Sequence, residues 1–331
     1  MRRYSSKMPE GAPYGSWRSP ITASLIAAGE VPLSAPDIVA GDVYWLEGKP
    51  LEGGRVVVVR RAADGTRDEL TPKPYYVRTR VHEYGGGAHL VDGSTVFFSN
   101  FADQRLYRQD AGQEPRPITP EPSIPAGLRY ADARPTADGR LLICVRERHQ
   151  AEGAEPINEL VALSADDSHD ARIIASGHDF YATPRISPDG RQLAWLTWDH
   201  PRMPWDGTEL WLADLTPDGS VSNERRIAGG PEESIFQPEW STAGELHFVS
   251  DRTGWWNLYR RRGESIDALA PMEAEFGAPQ WGFGMSTYAF LEDGRIAAIM
   301  SRDGIDHLVF VREGEPIQTA DLPYTAYGRR L

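Results

Sequence analysis

The sequence predicts an all-β fold: a β-propeller built from four-stranded blades. Three observations predict it. A glycine that ends a tight turn recurs at Gly41, Gly93, Gly139, Gly190, Gly244 and Gly294, in steps of 52, 46, 51, 54 and 50 residues. Each marker is followed by a similar apolar strand, at 42–47, 95–99, 141–145, 193–198, 246–250 and 296–300. A further strand recurs behind it, at 55–60, 105–109, 159–163, 209–215, 257–261 and 307–311. A four-strand repeat with a period near 50 residues is the mark of a propeller blade.

In chain order, residues 1–33 read as an extension and 34–331 as the propeller. Residues 1–18 are polar and rich in Pro and Gly, an extended lead-in. Ser19 suits a helix N-cap, Pro20 the first helical position and Gly29 the C′ position, so a short helix is expected between them. Blade one covers 34–73. Blade two, 77–120, opens on Arg78-Thr79-Arg80-Val81-His82-Glu83-Tyr84-Gly85-Gly86-Gly87. Its three glycines let backbone approach backbone near the crowded axis. They are no phosphate loop, because no Lys-Ser/Thr and no helix pattern follow.

Blade three, 128–177, carries a polar insertion at 146–156. Blade four, 180–230, is the clearest unit, with turns at Pro188-Asp189-Gly190 and Pro217-Asp218-Gly219; Pro presets φ and Gly supplies φ > 0. Blade five spans 234–271. Blade six, 276–321, opens on Gln280-Trp281-Gly282-Phe283-Gly284. Residues 323–328 look like the start of a seventh inner strand. Open blades leave edges and apolar faces exposed, so the chain is expected to be the front part of a longer protein.

Composition narrows the function classes. Across 331 residues, 35 Lys and Arg oppose 48 Asp and Glu, a net charge of −13. That argues against a nucleic-acid partner, which needs a basic face. The one cysteine, Cys144, lies in a strand pattern and reads as a small buried hydrophobe. No apolar stretch follows the basic Met1–Arg3 and no 18-residue apolar run exists. No secretory signal and no membrane contact are expected, and the default location is cytoplasmic.

The candidate functional residues follow from how a blade is wired. The loop leading into the inner strand and the loop between strands two and three share one end of the disc; the other turns share the opposite end. The first end receives Arg80, His82, Glu83, Tyr84, Phe180 and Trp198, and then Asp199, His200, Arg202, Trp205, Arg252, Trp255 and Trp281. Turn geometry does not require aromatic and charged residues, so this end reads as an interaction surface. Each residue alone reads rather as a packing aromatic or a loop salt bridge between blades; the end as a whole reads as the interface. Glu232-Glu233 could hold a substrate's ammonium group by charge-assisted hydrogen bonds, or be a solvated acidic loop. No Gly-x-Ser-x-Gly elbow and no His-Glu-x-x-His occurs, and the 8 His are scattered. The residues point to no catalytic nucleophile, no metal and no cofactor.

Four motifs carry a resemblance: RTRVHEYGGG at 78–87, WDHPRMPWDGTELW at 198–211, GPEESIFQPEW at 230–240 and DRTGWWNLY at 251–259. They resemble the N-terminal propeller of prolyl-oligopeptidase-family serine peptidases, in the bacterial branch similar to acylaminoacyl peptidases and dipeptidyl aminopeptidases. APYGSWRSP at 12–20 resembles the start of those proteins. The resemblance implies a C-terminal α/β-hydrolase domain bearing a Ser-Asp-His triad, capped by the propeller. It implies a propeller that screens short peptide substrates by size and, in exopeptidases, helps hold the amino terminus. Neither that domain nor the last blade is in this sequence, so no triad residue carries over. The expected function is substrate gating for an intracellular exopeptidase. A non-catalytic propeller that binds a protein or peptide is the alternative. A metal-dependent propeller hydrolase would need a ring of axial carboxylates that the inner strands do not supply.

Overall fold

The structure, a computed structural model, describes residues 11–16, 19–150, 153–166 and 171–331. The basic start, most of the polar lead-in and part of the APYGSWRSP motif lie outside the described residues.

The described chain forms six four-stranded antiparallel sheets, each with its strands in chain order. They are the blades of an all-β propeller. Inner strands run over Leu33–Val39, His89–Asp92, Leu128–Pro135, Phe180–Ile186, Ile235–Trp240 and Tyr288–Phe290. In blade four the next strands are Gln192–Trp198, Glu209–Leu215 and Val221–Gly229. Trp195 there faces Trp211 across the ladder.

The core lies between blades, and strand alternation feeds it from both sides. Phe97 packs with Tyr130 and Leu142 of blade three, whereas its neighbour Phe98 packs with Tyr44 and Leu46 of blade one. Leu142 and Cys144 join one inter-blade cluster, Ile143 and Val145 the other. Each fully buried aromatic or aliphatic side chain contributes about 1.5–3 kcal/mol. Burial pushes the Cys144 thiol up to about 12, which leaves it un-ionised and inert.

The inner strands share a device that no sequence pattern announced. A β-bulge interrupts the register in blades one, three, four and five. The extra residue there is left-handed: Ala35, Asp132, Thr183 and Gln237 have φ of 52°, 53°, 55° and 48°. Bulges bend a strand and raise its twist, which suits the innermost strand of a blade.

Three local expectations need correction. The helix is Ala23–Gly29, capped by Thr22, whose hydroxyl accepts from Leu25 N at 3.0 Å. Ser19 instead caps a turn, accepting from Ile21 N at 3.1 Å, and Gly29 lies inside the helix. The polar insertion of blade three begins later than expected, because its second strand runs Leu141–Arg148. Arg146 is buried there against Glu159, Nε to Oε2 2.9 Å. Residues 323–331 form no strand; they run beside blade six, where Thr325 O accepts from Asp306 N at 3.0 Å and Arg329 O from Ser286 N at 2.9 Å.

An aromatic pocket where three blades meet

The loop opening blade two is held in an unusual backbone. His82 and Glu83 have φ of 52° and 63°, and Gly85, Gly86 and Gly87 have φ of 69°, 92° and 54°. A side chain on Gly86 would run into the backbone of Phe283, and one on Gly87 into Asp132. Gly85 O accepts from Phe283 N at 2.9 Å. The loop opening blade six thus crosses the top of the disc and lies on blade two. On its far side Gln280 reaches Thr183 of blade four, 3.5 Å.

That crossing builds a pocket. Its floor is a stack: Phe180 lies parallel to Trp198 at 5.1 Å, His82 meets Trp198 edge-on at 5.6 Å, and Phe283 leans on His82 at 4.8 Å. Its wall is Trp281, 5.2 Å from Tyr84 and 4.5 Å from Trp205. His200 closes one side at 4.9 Å from Phe180, and Met203 and Arg202 form the rim. The free volume is about 170 Å³.

Blade three supplies the anchor. His82 N donates to Glu147 Oε2 at 2.8 Å, and the buried Glu147 also meets Arg129 at 2.9 Å and His149 at 2.6 Å. Arg129 in turn holds Glu83 at 2.9 Å and the carbonyl of Arg80 at 3.1 Å. Burial pushes the His82 imidazole down to about 4, so the ring is neutral at physiological pH. His82 and Glu83 are turn residues and they diverge, one into the pocket and one to Arg129.

Of the expected residues, His82, Tyr84, Trp198, His200, Arg202 and Trp205 come together in the pocket. Trp198, on the end read as an interaction surface, is only 8% exposed because its face is covered by Phe180. Arg80 sits behind, its guanidinium 5.5 Å from the Phe101 ring. Asp199 accepts from Asp179 N at 2.7 Å and from His178 at 2.8 Å. Burial would raise its carboxyl, but those donors outweigh it and hold it below the usual range.

A second knot forms around Glu233. Its Oε1 accepts from Ser250 Oγ at 2.6 Å and from Arg252 Nε and Nη2 at 2.9 and 2.7 Å. Glu233 is therefore already matched by a guanidinium, while Glu232 is exposed. Trp255 is 39% exposed and stands outside the pocket. Sequence reasoning missed Met203, Gln280 and Phe283. The glycines flanking Phe283 were the available signal, since Gly282 approaches the Gly85 carbonyl.

Beneath the pocket, inner-strand charges pair across blades. Arg185 joins Asp132 at 3.2 Å and Glu239 at 2.9 Å, and Arg134 reaches Asp132 at 3.2 Å. Among the described residues no group of three or more His, Cys, Asp or Glu could hold a metal, and no helix is long and apolar enough to cross a membrane.

No family model and no curated protein matches the chain. Solved structures do. A puromycin-hydrolyzing peptidase from Mycobacterium tuberculosis is 41% identical with a TM-score of 0.86, over 96% of this chain and 51% of that one. A puromycin hydrolase is 38% identical with a TM-score of 0.88, over the same 96% and 51%. A structure from a study of two prolyl endopeptidases shares the fold at 14% identity and a TM-score of 0.63, over 88% of this chain and 43% of that one. The chain thus spans about half the length of the first two structures. With six blades in place and these likenesses covering nearly all of it, the chain belongs to the prolyl-oligopeptidase family, as its β-propeller portion.

Proposed function

We propose that this propeller is the substrate-gating and recognition part of a serine exopeptidase. The parent protein would hydrolyse short peptides, or aminoacyl and acyl-peptide bonds, through a Ser-Asp-His triad outside this chain. The propeller comprises residues 34–331, with 1–33 as an extension, and the protein works in the cytoplasm. Its partners are a C-terminal α/β-hydrolase domain, docked on the pocket end of the disc, and short peptides.

One observation carries the reading most. The loop opening blade six meets blade two at one end, Phe283 N donating to Gly85 O at 2.9 Å, and reaches blade four through Gln280 and Thr183 at 3.5 Å, a crossing that we read as closing the axis there. A disc closed on the side facing a catalytic domain keeps long or folded chains from threading through its centre. The solved relatives add support: two are named for puromycin hydrolysis, and a puromycin hydrolase has been solved complexed with PGG.

The test is a length series in the full-length parent. Cleavage should fall steeply from aminoacyl-arylamides to peptides of about 30 residues, and the hydrolase domain freed of this propeller should lose that discrimination. Equal cleavage of short and long substrates by the intact parent would contradict gating. The chain alone should neither turn over arylamides nor react with a fluorophosphonate, since nothing among its described residues activates a nucleophile. Peptide binding by a parent that shows no hydrolysis would favour the non-catalytic module.

A further inference from the structure

We infer that the pocket between blades two, four and six captures a single aromatic ring of a small ligand, and prefers one that is neutral or bears a carboxylate over one that bears an amine. This rests on the recognition role above and specifies its chemistry.

Size sets the first limit. The free volume of about 170 Å³ is close to that of an engineered apolar cavity of about 150 Å³ that binds benzene. There is room for one six-membered ring, and too little for a folded segment of a partner protein.

Shape sets the second. Trp281 and Tyr84 stand 50% and 66% exposed, edge to face at 5.2 Å, and Trp205 backs Trp281 at 4.5 Å. These rings are large apolar surfaces left open at the mouth of a concave site. Phe180 and Trp198 below them are already stacked on each other, so the floor is fixed before a ligand arrives. A ring entering here finds both faces and edges of other rings, the geometry aromatic pairs favour.

Charge sets the third. No carboxylate lines the pocket. Glu83, Asp199 and Glu233 all turn away to Arg129, His178 and Arg252. The ionised group at the rim is Arg202, which uses Nε on Pro231 O at 3.1 Å. Asp179 and Asp206, the carboxylates next to the rim, are taken by His200 N at 2.8 Å and Met203 N at 2.9 Å, so an ammonium beside the ring would meet the Arg202 guanidinium and no free carboxylate; a carboxylate would meet a partner. Neutral His82 adds an edge without adding charge.

The experiment is a titration of this chain, followed by calorimetry and tryptophan fluorescence. The probes are N-acetyl-phenylalanine amide, N-acetyl-leucine amide, phenylpropionate and phenethylamine. The phenylalanine amide should bind about tenfold tighter than the leucine amide, as ring–ring contact beyond area burial allows. Phenylpropionate should bind more tightly than phenethylamine, and Arg202→Gln should erase that order. Trp281→Ala and Tyr84→Ala should each weaken the phenylalanine amide several-fold, and Met203→Trp should block it by filling the space. Trp45→Phe in blade one should change nothing. The open rings can be truncated without touching the core, so thermal midpoints should hardly move. Equal binding of the leucine and phenylalanine amides, or full binding to Met203→Trp, would overturn the proposal. Failure of the length series in the parent would remove gating while leaving ring capture standing, so the two readings fail separately.

Discussion

In blade four, residues 187–191 join the first two strands in a tight turn, and 199–208 join the next two in a loop twice as long. The same strands feed both ends of the disc, yet the ends are chemically unlike. At the turn end, Ser187 O accepts from Gly190 N at 2.8 Å and Asp189 Oδ1 accepts from Ser187 Oγ at 2.6 Å. Blade three repeats this with Thr136, Asp138 and Gly139 at 2.8 Å each. The Thr136, Asp138, Ser187 and Asp189 side chains there serve the turns themselves. At the loop end, His82, Tyr84, Trp205 and Trp281 serve no turn; they touch one another across blades. Side chains that local geometry does not need are the ones free to meet a ligand.

Glycine separates the ends most sharply. Gly86→Val should destabilise by about 3 kcal/mol or more, since a left-handed residue gains a Cβ against the Phe283 backbone. It should also abolish ring capture. Gly294→Ala, at φ of 82° in open space, should cost only about 1 kcal/mol and leave capture intact. Urea unfolding of both variants checks this; equal losses would dissolve the contrast.

Next in size is the anchor. Glu147→Ala leaves Arg129 without its buried partner and the His82 amide without an acceptor, and should cost about 3 kcal/mol. Ring capture should weaken with it. Unchanged capture would mean that the strained loop holds its shape without blade three.

Acid should act on three histidines. Burial holds His82 and His247 down to about 4 and, with Arg330 and Arg134 adding repulsion, His89 to about 3. Unfolding lets each take up a proton near pH 6.5, so their stabilisation is full above that pH and is lost as pH falls toward 4 and then 3. Carboxylates stay ionised in the unfolded chain down to about pH 4.5, so a drop in urea midpoint between pH 6.5 and 4.5 belongs to the histidines. A flat midpoint over that window would refute their burial as neutral rings.

The smallest effect should come from the turn end. Asp189→Ala removes the Ser187 and Arg191 contacts and should cost about 1 kcal/mol, with no change in binding.

The strands were legible because the marker glycine and the apolar strand behind it are local signals repeated six times. Seventh-strand and helix signals were weaker. Ser19-Pro20 has the right residues for a helix start, but Thr22 offers the hydroxyl one turn before Leu25 and wins. The site was half legible. Alternation of connections sent His82, Tyr84 and Trp205 to one end, yet nothing local says that Phe283 will lie on Gly85, almost 200 residues earlier. The same gap hid the Arg252–Glu233 pairing, which uses a carboxylate the sequence offered to a substrate.

The most direct measurement is kcat/KM for an aminoacyl-arylamide in the proposed parent peptidase, comparing Trp281→Ala and Met203→Trp with Asp189→Ala. The account predicts a fall of about tenfold or more for the two pocket variants, the size of one lost aromatic contact, and none for the turn variant. Pocket variants that turn over at the unaltered rate, or a turn variant that loses as much as they do, would contradict the division of the disc into a recognising end and a plain one.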